Sequence, residues 1–341
     1  MPGAQSNAIR SSAILTLTAL IWGMAFVAQR SSMEFVGPFF FSGIRTLLGA
    51  ATLAVILALT LALRRRKQLR QHFEQGEDEG GDSTAAELLP REASALSVAR
   101  LLKAGILCGL VFFAASSLQQ VGLVFTTASK AGFLTTLYIV LVPILGLFLR
   151  HRTHWNTWVS VLVAAVGLYL LSITSDFSME LGDAVTLVGA LGWAGHILII
   201  DHYVNGISRT EVMKLCVLQF MVCGLLSCVC APLFDSSISP VTLTLGAIWD
   251  AMPAILYAGI LSTGVAFTLQ AVGQQHAKPS VAAVILSLEA VFSVLGGMLI
   301  LHEILSGREL LGCVLMFVAV LLAQMPVAAV AQSKAQKSGS T

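Results

Sequence analysis

Apolar runs recur from one end of this chain to the other, each about 20 residues long, the length at which a helix rising about 1.5 Å per residue crosses a hydrocarbon core of about 30 Å. Ten such runs lie near 12–29, 38–63, 99–119, 127–149, 155–173, 181–203, 211–232, 247–271, 279–301 and 308–329. Only 11% of the residues are charged, against roughly 25% in soluble domains, so the chain lacks the polar surface to face water all round. The fold class expected is therefore an all-α membrane protein. The first run, Ser12 to Ala28, leads directly into a second long one and reads as a retained helix, not a cleaved leader.

Most connections are short, so sequential helices should be antiparallel neighbours. Residues 64–97 differ. They open Arg64-Arg65-Arg66-Lys67 and turn acidic and Gly-rich at Glu77-Asp78-Glu79-Gly80-Gly81-Asp82, a composition that cannot bury enough surface to order itself. A disordered cytoplasmic loop is expected there. The basic residues set an orientation: of 20 Lys and Arg, only Arg30, Lys130 and Arg308 fall opposite the N-terminus, and Arg45 lies within a span. The positive-inside rule then puts both termini in the cytoplasm.

The chain also matches itself. A shift of 151 sets Val121-Gly122 on Val272-Gly273, Ala131 on Ala282, Leu137 on Leu288 and His151 on His302. A shift of 171 sets Ala19-Leu20 on Ala190-Leu191 and Trp22 on Trp193. The difference is absorbed by the 64–97 loop. The halves are residues 1–173 and 174–341, five spans each. An odd number per half makes the second enter from the opposite side, an inverted repeat of the kind that places a solute site near the midplane in many secondary transporters.

Several ordered segments resemble one family. Ala19-Leu20-Ile21-Trp22-Gly23-Met24-Ala25-Phe26, Gly37-Pro38, Gly43-Ile44-Arg45, Gly182-Asp183 through Trp193-Ala194, Ser287-Leu288-Glu289-Ala290-Val291-Phe292, and His302-Glu303 before Leu311-Gly312 resemble the drug/metabolite transporter superfamily, EamA type. Ala290 stands where that family often has proline, Arg152 where its first repeat often has glutamate, and the long loop is unusual. The resemblance implies ten transmembrane helices in two inverted five-helix repeats, the inner membrane of a bacterium, and transport of a small metabolite, an amino acid or related compound being one class.

Ionisable groups within spans are costly and therefore candidates for function. Arg45 lies about 12 Å into the second span and Glu289 about 15 Å into the ninth, by helical rise. At similar depth they can form a fixed ion pair, or contact a zwitterionic solute, with Glu289 also a proton acceptor. Tyr138 is the repeat-mate of Glu289, and Trp22 and Trp193 are mates of each other; aromatics at mid-depth can wall a cavity or simply pack. His196 and Gln270 are polar within spans and serve either a ligand or a helix–helix hydrogen bond. The candidate binding set is Trp22, Arg45, Tyr138, Trp193, His196, Gln270 and Glu289. Gln119 and Gln120 are expected near a wet span end, and Gly105 with Gly109 marks close helix approach.

The six cysteines read as small packing residues, with no paired CxxC, and no metal or cofactor is expected. An enzyme would need clustered chemistry, and HExxH, GxSxG and a phosphate loop are all missing. The expected partners are a small-molecule solute and the lipid bilayer, not nucleic acid; proton or ion coupling and a homodimer stay open. The rival reading is a membrane scaffold or receptor of the same fold.

Overall fold

In the computed structural model every element among the described residues is helical. The structure describes residues 2–75, 97–151, 153–172, 180–301 and 306–325. The helices are α1 (Pro2–Ser32), α2 (Pro38–Gln75), α3 (Val98–Phe125), α4 (Ala128–Thr136), α5 (Tyr138–Phe148), α6 (Trp155–Ser172) and α7 (Leu181–Val204). They continue as α8 (Arg209–Ile238), α9 (Leu245–Leu256), a π-helical segment (Tyr257–Phe267), α10 (Thr268–Gln274), α11 (Pro279–Leu286), α12 (Leu288–Leu301) and α13 (Gly307–Gln324). Among the described residues eight segments are long and apolar enough to cross a membrane, and two further apolar helices, Trp155–Leu170 and Pro279–Leu295, are shorter.

The sequence accounts for many of the helix starts. Hydroxyls take up orphan backbone N–H groups: Ser97 at α3, Thr127 at α4, Ser208 at α8, Thr244 at α9 and Ser306 at α13. At α13 Glu309 answers with a bond to the Ser306 N–H, closing a capping box. Small residues admit neighbours. A Cβ on Gly109 would sit 2.6 Å from Val222 Cβ, so the Gly105/Gly109 pair lets α8 lie against α3.

Three expectations need correction. Residues 64–75 belong to α2 and are not part of a disordered loop; Arg, Lys, Gln, Leu and Glu are good helix formers and extend the span without a break. Residues 76–96 lie outside the described residues, as do Arg152, His302, Glu303 and the end of the tenth run. The fourth and ninth runs are each broken near the middle. The α4–α5 break falls at Leu137 and the α11–α12 break at Ser287, where Leu137 N–H and Ala290 N–H reach only three residues back. The eighth run is not one regular helix, since its centre is wound as the π segment.

Helix α2 packs along α8, α3 along α7 and α8, α6 along α13, and α1 along α12 and the π segment. Opposite ends of the α2–α8 pair are tied differently. Asp235 accepts from the Phe39 and Phe40 N–H groups at 2.9 and 2.8 Å, while Arg64 donates to the Thr210 hydroxyl at 2.9 Å. The buried apolar residues form one large cluster running through α3, α7, α8 and α11 and a smaller one around Phe26, Phe41, Leu123 and Ile255.

Candidate functional site

Between the helices lies a cavity walled by α1, α2, α3, α4, α5, α7, the π segment, α10 and α12. Its lining includes Trp22, Arg45, Tyr138, Trp193, Gln270 and Glu289, six of the seven side chains singled out from the sequence. As it stands the cavity offers about 40 Å³ to the centres of water-sized molecules, room for roughly three waters.

Arg45 and Glu289 share this cavity but hold other partners. Arg45, 2% exposed, donates from Nη1 to Gln29 Oε1 at 3.2 Å and from Nη2 to Ser116 Oγ at 3.4 Å, and its head lies 5.6 Å from the Phe41 ring centroid. Its Nε has no hydrogen-bond partner among the described residues. Glu289, 3% exposed, accepts at Oε1 from Tyr138 OH at 3.1 Å and from Thr136 Oγ1 at 3.2 Å. The fixed ion pair, one of the two sequence readings, is thus replaced by two separate anchors on one wall system. The helix breaks explain part of this: Thr136 ends α4 and Tyr138 starts α5, so both hydroxyls turn toward α12. Glu289 and Tyr138 are offset by 151 in sequence, the shift at which the chain matches itself.

The aromatic wall is built around Phe267. Trp22 lies 4.4 Å from it between centroids, Phe112 4.6 Å, and Trp193 is stacked on it at 5.4 Å and 20°. Each indole N–H is engaged, Trp22 with the Ser262 carbonyl at 3.2 Å and Trp193 with Gln119 Oε1 at 2.6 Å. The Ser262 carbonyl belongs to the π segment, which approaches α2 closely because Gly259 has no Cβ to meet the Arg45 carbonyl, 3.0 Å from where one would be. Tyr257 fastens the same segment to α1 through the Ile21 carbonyl at 2.8 Å.

His196 stands behind this wall. It bonds Gln219 at 3.0 Å and meets the Phe112 ring edge-on, the helix–helix option of its two readings. Gln119 and Gln120, expected to be wet, are buried at 5% and 0% exposure because α3 runs on to Phe125. Gln29, Phe26, Thr135, Ser262 and Phe267 also line the cavity and were not singled out. Gln29 is the hub of the polar wall, since Oε1 accepts from both Arg45 and Gln119. Gln29 closes the first apolar run directly before Arg30-Ser31-Ser32, where its sequence position resembles that of an ordinary wet helix end.

The two ends of the bundle differ. Ser11 donates to the Gly273 carbonyl, so the start of α1 lies beside the end of α10; this is here the N-terminal end. There a polar vestibule of about 430 Å³ is lined by His151, His154, Asp201, Gln274, His276 and Lys278, among others. At the far end Asp183 collects Thr126 Oγ1 at 2.5 Å, Lys130 Nζ at 3.4 Å and the Glu180 N–H at 3.0 Å, joining the α3–α4 turn to the start of α7. Among the described residues no group of three or more His, Cys, Asp or Glu is arranged to hold a metal ion.

Comparison with known proteins matches residues 11–173, and again 180–325, to the EamA-like transporter family. An uncharacterized transporter of Archaeoglobus fulgidus is 30% identical over 316 residues, 92% of this chain and 85% of that protein. A solved crystal structure superposes with a TM-score of 0.64 over 92% of this chain and 96% of its own, at 18% identity, a likeness of fold.

Proposed function

This chain belongs to the EamA-like transporter family and is a multi-pass membrane transporter, and from that premise we propose that it moves a small zwitterionic metabolite, of the amino-acid class, by alternating access. The observation that carries the substrate class is the pair of unlike anchors in one enclosed cavity. Arg45 offers a cationic head whose Nε has no hydrogen-bond partner among the described residues, and Glu289 offers a carboxylate held by other groups. A carboxylate and an ammonium on one small solute complement both. The aromatic wall of Trp22, Phe267 and Trp193 suits the apolar remainder. Glu289 is also the group on that wall able to exchange a coupling proton.

The two-repeat, ten-helix architecture is part of this reading. It is supported by the family matching twice, by helix breaks at Leu137 and Ser287 that coincide within one residue under the 151 shift, and by the packing pattern. Exchanging the halves maps α3 with α7 onto the π-segment span with α1, and leaves α2–α8 and α6–α13 unchanged. An inverted pair of halves rocking about a central site is the general basis of alternating access. The Lys and Arg distribution supports cytoplasmic termini, and the resemblance supports a bacterial inner membrane.

The test is thermal stabilisation of the detergent-purified protein by amino acids and related metabolites, since a ligand of the folded state raises its melting temperature by mass action. A zwitterion should shift wild type and fail to shift E289Q and R45Q. A shift by neutral or anionic solutes only, or one retained in both variants, would sink the zwitterion reading. Uptake of the hit into proteoliposomes separates a carrier from a scaffold.

A further inference from the structure

The cavity and the vestibule are neighbours along the same two helices. Ile197 and Gln270 line the cavity, and Asp201 and Gln274, four residues on in each case, line the vestibule. Four residues of helix are about 6 Å. Between the two spaces the Gln274 side chain crosses from α10 to α7, where Nε2 donates to the Ile197 carbonyl at 3.0 Å. Gln274 is fully buried, and its Oε1 has no hydrogen-bond partner among the described residues. A buried acceptor without a donor is a standing demand for one.

The far end offers a control within the same molecule. The 171 and 151 shifts relate Ile197 to Phe26 and Gln274 to Leu123. Phe26 and Leu123 lie in the smaller apolar cluster with Met33, Val36, Phe41 and Ala131, none more than 4% exposed. There Phe26 and Leu123 sit in an apolar cluster beside the buried Gln120 amide, which donates to the Gln29 carbonyl and to Met33 Sδ, whereas at the N-terminal end the Gln274 and Gln275 amides tie α10 to the end of α7 and the turn after it.

We propose that the vestibule is the port of the central cavity and that Gln274 is the bar across it. Released from Ile197, the amide opens the way, and its vacant acceptor takes an N–H from the passing solute. The vestibule suits the same solute as the cavity, because Asp201, 7% exposed, presents a carboxylate and Lys278 an ammonium. This rests on the central cavity being the solute site, and the test separates the two.

Thr135→Cys sets a thiol on the cavity wall. In vesicles whose orientation is read from an N-terminal tag, a membrane-impermeant methanethiosulfonate is applied to either face, with the six native cysteines of the parent chain giving the background. The thiol should react from the N-terminal face. Q274L, which keeps the volume and removes the bond, should raise that rate about threefold, the change in population one interhelical hydrogen bond sustains, and leave the other face unchanged. Q274N, which restores a donor, should bring the rate back toward the parent. A277W, on the vestibule rim, should block labelling in a folded protein, which keeps the test decisive if Q274L aggregates. Equal rates in parent, Q274L and A277W, or acceleration from the far face, would overturn the port. Rates that respond in a protein no zwitterion stabilises would support the port and sink the central-site reading instead; a zwitterion shift with unresponsive rates overturns the port alone.

Discussion

The two ends of the cavity are closed by different physics. At the far end Phe26 and Leu123 are packed among apolar neighbours, and outside them Asp183 collects a hydroxyl, an ammonium and a backbone N–H. At the N-terminal end the Gln274 amide reaches α7 between the cavity and a polar, roomy vestibule, and Gln275 beside it donates to the Val204 and Ile207 carbonyls. Packing loses its contacts all at once when side chains separate, and a buried carboxylate gives up several bonds together. A single interhelical amide bond in a membrane is worth much less. On the port proposed above, the N-terminal closure is the easier one to open.

Removing the packing should have the largest effect. Phe26→Ala leaves a void that the surrounding cluster fills only in part, with an expected cost of about 3–5 kcal/mol. Thermal or denaturant unfolding in detergent measures it, and the Thr135→Cys thiol should become reactive from the far face. Stability lost without far-face access would break the comparison. Next comes Asp183→Asn, which weakens charge-assisted bonds and should cost about 2 kcal/mol; a melting curve identical to wild type would mean that the carboxylate does not hold that end. Smallest in stability is Gln274→Leu, at about 0.6 kcal/mol. Its expected signature is a near-normal melting temperature beside a clear change in labelling from the N-terminal face. A large stability loss there would make Gln274 a structural tie and erase the distinction between the ends.

Much of the cavity was legible because polar groups are conspicuous in apolar helices. Arg45, Glu289 and Gln270 stood out by cost, and Trp22, Trp193 and Tyr138 by mid-depth position and repeat pairing. The same logic could not rank Phe26 and Phe267, whose composition is that of ordinary packing residues; only the placement of Phe267 between two tryptophans makes it a wall. Gln119 is buried because α3 runs six residues beyond the apolar run that ends at 119. The breaks at Leu137 and Ser287 carry no Gly or Pro at the site, and the π segment no motif. These features are imposed by neighbouring helices, so local sequence holds little of them. His196 shows the converse, a conspicuous residue that pairs through Nε2 with Gln219 away from the cavity, its Nδ1 having no hydrogen-bond partner among the described residues.

The hydrogen bond between Tyr138 and Glu289 has a consequence for how such a protein could arise. On the two-repeat reading proposed above, these two positions descend from one position in an ancestral half-length gene. Two identical copies paired in inverted orientation about a two-fold axis would have set that residue against itself. A pair of glutamates meeting there would repel, and a pair of tyrosines would leave the cavity without an acid at that point. Fusion of the copies into one polypeptide lets the contact become unlike, an acceptor on one side and a donor on the other. The axis of a duplicated carrier is thus the place where identical halves are least able to stay identical, and divergence there gives a lone acid a donor in place of a second acid.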